Sequence, residues 1–294
     1  MADADEHADE RAAGNTDEGE QVAQPDPDET AGEVTTEENV PETPFDENVR
    51  ILLLDRDSQG IYHKELHIAC EEGFTVSSGE EIKNYAPESE LVLRTEDLED
   101  GQMICITGKD NGRIQIADLG RNSPARYRGR LECYPAAEGI AVVNELTVEE
   151  YLYGVVPSEM PSTYPDEALR AQAVTARTYT YHHKQRYAYP EWKAHMDDST
   201  AFQVYMNCEE TQRAVSAVDA TRDQVITHEG EIVESFYYST SGGYNGGARV
   251  WSDAASAADD YLIETGEEIY ASNSEEGEQA YRQYIDNGNE ADVE

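Results

Sequence analysis

Basic residues are what this chain has least of. Only 21 lysines and arginines face 63 aspartates and glutamates, for a formal net charge of -42 and a pI near 4.2. An acidic surface of that strength excludes binding nucleic acid or anionic lipid through a basic patch. It is also repelled by polyanions, so a neutral glycan is the easier partner. Cysteine is scarce too. Cys70, Cys105, Cys133 and Cys208 lie far apart and form no CxxC pair. They lack the close spacing of a zinc site, and they either pair in one of three ways or stay free, with buried free thiols the default. No apolar run approaches the length of a membrane span, and the N-terminus has no basic and apolar signal segment.

A chain of 294 residues allows one large domain or two small ones. Residues 1–48 are rich in Asp, Glu, Ala, Thr and Pro, with almost no large apolar side chain before Phe45. Too little surface is available there to offset the entropy of ordering, so the segment reads as a disordered acidic tether. Residues 264–294 are again acidic and Tyr-rich. The folded domain is therefore expected over 49–263.

Its first half reads as β. Val49–Leu54 is a short apolar run ended by Asp55-Arg56-Asp57-Ser58. Ile61–Ala69, Leu91–Arg94, Gln102–Thr107, Arg113–Ala117, Arg126–Glu132 and Ile140–Asn144 are further short strands between Gly, Asn and Asp breakers. Thr147-Val148-Glu149-Glu150 is a capping box that starts a short helix through Tyr151, Leu152 and Tyr153, with Gly154 as its stop. A second, longer helix follows. Pro165 suits its first turn, Asp166 and Glu167 suit its positive end, and Tyr189-Pro190 closes it. Leu169, Ala173, Ala176 and Thr180 share one face of it, for close packing against the sheet. Gln224–Tyr238 reads as a β-hairpin turning at Glu229-Gly230. The fold class is thus α+β: a mostly β N-terminal half, central helices around a Glu loop, then a β-hairpin region.

That loop is Val155-Val156-Pro157-Ser158-Glu159-Met160-Pro161. Two prolines make a stiff, extended backbone, and the apolar neighbours of Glu159 partly desolvate its carboxyl. Burial raises a Glu pKa and lets it act as an acid near neutrality. The competing reading is a solvated loop Glu, one of many in an acidic chain. Asp166, Glu167, Asp197 and Asp198 rank below it, because they fall at a helix start and a turn. Ser239-Thr240-Ser241-Gly242-Gly243 offers hydroxyls and bare backbone N–H groups suited to sugar hydroxyls or an N-acetyl group. By itself it reads equally as a flexible loop.

Taken in order, the Glu159 motif is followed by Glu167–Val174, Ala176–Tyr179, Gln203-Val204-Tyr205, Tyr238–Gly243 and Val250-Trp251. These blocks closely resemble the stage II sporulation protein D / amidase-enhancer family of bacterial peptidoglycan proteins. The resemblance covers about residues 110–263. It implies a peptidoglycan lytic transglycosylase without cofactor, in which Glu159 is both acid and base and the product ends in a 1,6-anhydro ring. It also implies that Arg177, Tyr205, Ser239, Ser241, Gly242 and Gly243 line a substrate cleft. The implied partners are peptidoglycan glycan strands and a cell-wall amidase, in sporulation or wall remodelling. The implied location is extracytoplasmic, with the full-length form tethered to the membrane by an anchor absent from this chain. The alternative within the resemblance is a non-catalytic glycan-binding enhancer of a cell-wall amidase.

Two departures from the family pattern stand out. Some members carry Cys and His before the Gln-Val-Tyr block, as if for a metal. Here that segment is His195-Met196-Asp197-Asp198-Ser199-Thr200-Ala201-Phe202, with a lone histidine, so no zinc is expected. The family's Gly-His-Gly-rich C-terminal motif is also absent, which implies a truncated or inactive form. Deletion of residues 1–45 is expected to leave both thermal stability and activity on soluble glycan fragments unchanged, because the segment has so little apolar surface to dock. A melting temperature several degrees lower in the truncated protein would show that it folds onto the domain.

Overall fold

The computed structural model describes residues 48–55, 60–99, 101–117, 119, 125–238, 244–248, 260–263 and 265–266. Eleven strands come first: β1 (Asn48–Leu53), β2 (Tyr62–His63), β3 (Glu65–Ala69), β4 (Phe74–Ser78), β5 (Glu81–Tyr85), β6 (Glu90–Arg94), β7 (Ile104–Gly108), β8 (Ile114–Ile116), β9 (Ala125–Tyr127), β10 (Arg130–Ala136) and β11 (Gly139–Thr147). Then follow α1 (Val148–Glu159), α2 (Asp166–His183), β12 (Met196–Asp197), α3 (Gln212–Ala220), β13 (Thr227–His228), β14 (Glu231–Ile232), β15 (Tyr244–Asn245) and β16 (Thr265–Gly266). The α+β class holds: the first half is β and the helices are central. The tether expected at residues 1–48 lies almost wholly outside the described residues, as does nearly all of 264–294.

The main sheet runs β12-β1-β11-β10-β7-β4-β5, with β2 also paired to β11, and a second sheet runs β6-β3-β8-β9. Every pairing in them is antiparallel except that of β1 with β12. Strand alternation explains why the end of β1 is apolar on both faces. Val49, Ile51 and Leu53 point into the main core, while Leu52 and Leu54 join Ala141, Val143, Trp192 and Ala194 on the opposite face. The expected strand at Ile61–Ala69 is split in two, and the β4–β5 pair and α3 have no counterpart in the sequence reading.

The largest correction concerns α1. Thr147 caps it as expected, its hydroxyl accepting the Glu150 N–H (3.3 Å) and the Glu150 carboxylate accepting the Thr147 N–H (3.2 Å). The helix does not stop at Gly154. It continues through Pro157 to Glu159, so the motif is helix and not extended loop. A proline inside a helix costs about 3 kcal/mol. Burying a valine returns about 1.5–3 kcal/mol, and Val155 and Val156 are both fully buried in the continued helix. Packing wins over local preference. The stop comes at Met160, which is extended (φ -137°, ψ 128°) as a residue before proline must be, and whose N–H bonds the Val156 carbonyl at 3.0 Å.

The face of α2 expected to be buried is buried: Leu169, Ala173, Ala176 and Thr180 are fully inaccessible. Its small side chains let α1 and α3 approach closely, so it packs on those helices and not on the main sheet. It ends at His183 rather than near Tyr189-Pro190, because Tyr189 and Ala194 exchange backbone bonds (3.0 and 3.1 Å) that close a separate loop around Pro190. The β13–β14 hairpin turns where expected. Glu229 and Gly230 both have positive φ (50° and 86°), the backbone of a type I′ turn. Of the cysteines, Cys70 and Cys133 are buried free thiols, but Cys105 is partly exposed and Cys208 exposed.

Gly154 is needed for space and not as a helix stop. A β-carbon there would lie 2.6 Å from both Met206 Sδ and Tyr205 Cε2. Methionine sulfur can move, but the Tyr205 ring is pinned by its buried hydroxyl. Gly154→Ala gains about 1 kcal/mol of helix propensity and incurs about 1–3 kcal/mol of overpacking. The clash with a fixed ring puts the penalty at the upper end, so the variant is expected to melt a few degrees below the parent in a calorimetric scan. A higher melting temperature would show that the ring can move aside.

Candidate functional site

Glu159 is the last residue of α1, partly buried, at the negative end of the helix dipole. That position alone disfavours a carboxylate. Its partner is the loop that carries Gln203-Val204-Tyr205. Val204 N–H donates to Glu159 Oε1 at 2.6 Å. The preceding motif residue grips the same loop: Ser158 Oγ accepts the N–H groups of Asn207 (3.1 Å) and Cys208 (3.3 Å) and donates to the Gly154 carbonyl (2.6 Å). Ser158 and Glu159 thus clamp residues 204–208 from one helix end. Burial pushes the Glu159 carboxyl above its ordinary range, while the Val204 amide and the Tyr237 hydroxyl, both donating to it, pull the other way. The net direction is upward, as an acid at neutral pH requires. Among the described residues no second carboxylate figures in these influences.

Behind Glu159 lies a buried polar chain. Gln203 is fully inaccessible; its Nε2 donates to the Ala176 carbonyl (3.3 Å) and to the Tyr237 hydroxyl (3.1 Å), and its Oε1 accepts from Thr180 Oγ (2.9 Å). On the α2 side, the ring of Tyr179 lies 4.1 Å from that of His183, which in turn meets Phe202 edge-on at 5.7 Å. Burial pushes Tyr179 up to about 12 and His183 down to about 4, so both are neutral at pH 7.

Two residues expected to line the cleft are placed in the interior. Tyr205 is buried, with its ring against Tyr151 (4.9 Å) and Tyr127 (5.9 Å) and its hydroxyl donating to Asn144 Oδ1 (2.9 Å). It fixes the loop whose Val204 amide holds Glu159. Arg177 has no exposed surface. Its guanidinium pairs bidentately with Glu149 (2.7 and 2.8 Å) and also donates to Thr221 Oγ1 and to the carbonyls of Val218 and Gln224. All five N–H groups are used within the domain. Ser239, Ser241, Gly242 and Gly243 lie outside the described residues. The sequence reading placed Thr180 on the buried face of α2 but gave no site role to it, to Tyr237 or to Gln203. Tyr237 stands just before the Ser239–Gly243 loop it did single out, but nothing local marks that tyrosine from the 18 others.

The lower-ranked acids have structural partners. Asp197 accepts from Tyr189 OH (2.6 Å) and Ser199 N–H (2.8 Å), Asp198 from Leu54 N–H (3.0 Å), and Asp166 is bound by Arg213. Glu167 pairs with Arg170 on the surface. Among the described residues no group of three or more His, Cys, Asp or Glu is placed to hold a metal ion. His195 Nδ1 instead accepts the Arg50 N–H at 3.1 Å. Hollows of about 250 Å³ beside Cys70 and Arg113, and of about 330 Å³ beside Arg128 and Glu150, do not include Glu159.

The family profile described as SpoIID, stage II sporulation protein, matches residues 136–228, which hold both Glu159 and Gln203. On that stretch, about a third of its length, the chain is similar to the SpoIID family. It is similar to an uncharacterized protein of Brachyspira hyodysenteriae, 37% identical over 123 residues, 42% of this chain and 33% of the relative. A stage II sporulation protein D of Bacillus amyloliquefaciens is 32% identical over 127 residues, 38% of this chain and 37% of the relative. The amidase enhancer of Bacillus subtilis is 37% identical over 104 residues, 35% of this chain and 14% of the relative. These matches span about a third or less of the curated relatives' own lengths. No described helix is long and apolar enough to cross a membrane.

The SpoIID region includes Arg177, and its burial makes a clear expectation. Arg177→Ala leaves Glu149 as an uncompensated buried charge, which typically costs about 3–5 kcal/mol. Chemical denaturation should show a loss of that size. A variant of normal stability that has lost only glycan binding would instead place the guanidinium in contact with ligand.

Proposed function

We propose that the protein is a peptidoglycan lytic transglycosylase of the cell envelope, acting in sporulation or wall remodelling, with Glu159 as its single acid and base. The observation that carries this is the state of Glu159. It is a partly buried carboxyl at a helix C-terminus, raised in pKa by burial, held by the Val204 amide and paired with no cation among the described residues. Glu132, Glu145, Glu149 and Glu210 each pair with an arginine, and Glu150 caps α1; Glu159 has no such partner among the described residues.

The chemistry follows from one carboxyl. Protonated Glu159 gives its proton to the bridging oxygen of the glycosidic bond as that bond breaks. The carboxylate so formed takes the proton of the sugar's own C6 hydroxyl, whose oxygen closes on C1 to give the 1,6-anhydro ring. The carboxyl is then protonated again, and no water is consumed. Most glycoside hydrolases need a second carboxylate to activate water or to attack the sugar; intramolecular attack by O6 removes that need. Ser239, Ser241, Gly242 and Gly243 would hold sugar hydroxyls or N-acetyl groups, whereas Tyr205 and Arg177 would act at a distance, through the frame.

A second reading is favoured by the similarity to a protein named amidase enhancer: a glycan-binding module that stimulates a cell-wall amidase without cleaving anything. Glu159→Gln separates the two, since it keeps the shape of the side chain and removes the transferable proton. Positioned acid–base catalysis is typically worth about 10²–10⁴-fold. Mass spectrometry of glycan strands incubated with the purified protein should show 1,6-anhydro ends, and the variant should lose them while still binding glycan. Full activity in Glu159→Gln would refute the assignment. Absence of anhydro ends with the parent protein, together with amidase stimulation that survives the substitution, would establish the enhancer.

A further inference from the structure

We propose that the hollow of about 250 Å³ between the β8–β9 pair and the turns at 70–73 and 86–89 binds a ligand with one carboxylate and two ammonium groups: a free diamino acid or the end of a short basic peptide. Glu159 does not line this hollow, so the proposal is independent of the reading of that carboxyl.

The strands supply the cations. Gln115 on β8 and Arg126 on β9 are cross-strand partners, and Arg113 stands just before β8. Basic side chains are scarce in this chain, 21 in all, yet two guanidiniums line this one hollow. Among the described residues each meets a single carboxylate: Arg113 lies 3.3 Å from Glu210, and Arg126 lies 3.3 Å from Glu71. A guanidinium has five N–H donors, so most of both forks is left for a ligand carboxylate, with the Gln115 amide beside them. The Arg126 and Glu71 side chains are 46% and 75% exposed. An ion pair so open to water contributes little and gives way readily to a better-placed acceptor.

The turns supply the anions. Glu71 and Glu72 lie in the turn closed by the Gly73 N–H on the Cys70 carbonyl (3.0 Å). Glu88, with φ 60°, lies in the turn closed by the Ser89 N–H on the Ala86 carbonyl (3.2 Å). Glu72 is seated by its neighbours. The Cys70 thiol donates to its Oε2 at 3.5 Å, and a β-carbon on Gly112 would lie 2.5 Å from that oxygen, so the bare glycine backbone leaves room for it. Neither Glu72 nor Glu88 has an ion pair among the described residues. Two arginines against three glutamates leave the lining one negative charge in excess, which a ligand with one carboxylate and two ammonium groups neutralises. The larger hollow beside Arg128 and Glu150 offers no such set. There Arg128 binds Glu210 bidentately (2.7 and 2.8 Å), and Arg130 pairs with Glu132 (3.1 Å) and Glu145 (2.9 Å). Pockets for drug-sized ligands span ~300–1,000 Å³; the smaller hollow suits one or two residues.

Isothermal titration calorimetry with L-lysine in low-salt buffer should show one site. Norleucine, which lacks the second amine, and cadaverine, which lacks the carboxylate, should each bind about tenfold more weakly or worse. Glycyl-lysine carries the same three charges on a longer frame, and its affinity relative to lysine tells a peptide end from a free amino acid. Arg126→Gln and Glu88→Gln change exposed side chains and should each weaken lysine about tenfold without lowering the melting temperature. If either variant folds poorly, the parent protein gives a second readout. In ¹⁵N spectra the Gln115 side-chain amide, identified by its loss in Gln115→Leu, should shift as lysine is added. Cadaverine binding as tightly as lysine would overturn the proposal, since an acidic chain attracts any dication. Lysine affinity unchanged in both variants would overturn it as well, and so would the absence of both binding heat and a Gln115 shift.

Discussion

The pairing of Arg177 with Glu149 is the interaction on which the site depends. Glu149 lies in the first turn of α1, Arg177 in the middle of α2, and the carbonyls that complete the guanidinium's shell come from the end of α3 and the segment leading to the hairpin. One side chain thus joins the three described α-helices. A buried ion pair is seldom a large net source of stability, because desolvating both charges offsets much of their attraction. What it does enforce is geometry: a planar fork with five donors accepts only one arrangement of its acceptors. The angle at which α1 leaves the sheet, and so the place where its C-terminal residue arrives, follows from that arrangement.

That placement raises the pKa of Glu159. A helix end is a poor environment for a carboxylate, and burial between α1, the 203–208 loop and Tyr237 makes it poorer. The Val204 amide and the Tyr237 hydroxyl oppose that upward push. The loop providing one donor is fixed from both sides, by Ser158 on α1 and by Tyr205 inserted among Tyr127, Tyr151 and Asn144. Gly154 makes room for that insertion. The motif residues around Glu159 are therefore a support for the carboxyl as much as a surface for ligand.

A single-carboxyl site also suits the strong acidity of the chain. Solvated carboxylates on the surface repel a polyanion but leave a neutral glycan unaffected, and at the ionic strength of a cell their fields fade within about 8 Å. Inside the site, low polarity and fixed donors govern the proton, so a net charge of -42 does not by itself set the behaviour of Glu159. Arg50 shows the same separation within the frame. It gathers Glu132, Glu145 and the Tyr134 hydroxyl onto one guanidinium across three strands of the main sheet, turning like charges into a connected network.

The sequence by itself determined the strands whose alternation is strong, such as Val49–Leu54 and Ile140–Asn144, the Thr147 capping box, the buried face of α2, and Glu159 as the carboxyl to watch. Each of these is a local pattern that the tertiary structure reinforces. Where local and long-range terms oppose each other, the sequence misled. Gly154 and Pro157 both argue for ending α1, yet the burial of Val155 and Val156 outweighs them, a balance set by residues far along the chain. Arg177 and Tyr205 carried the resemblance to a glycan-binding family, but no spacing rule tells a side chain that lines a cleft from one that braces it. The same limit hid Tyr237. Only the tertiary structure decided that its hydroxyl meets Gln203, 34 residues away in the chain, where Thr180 and Ala176 converge on the same amide from α2.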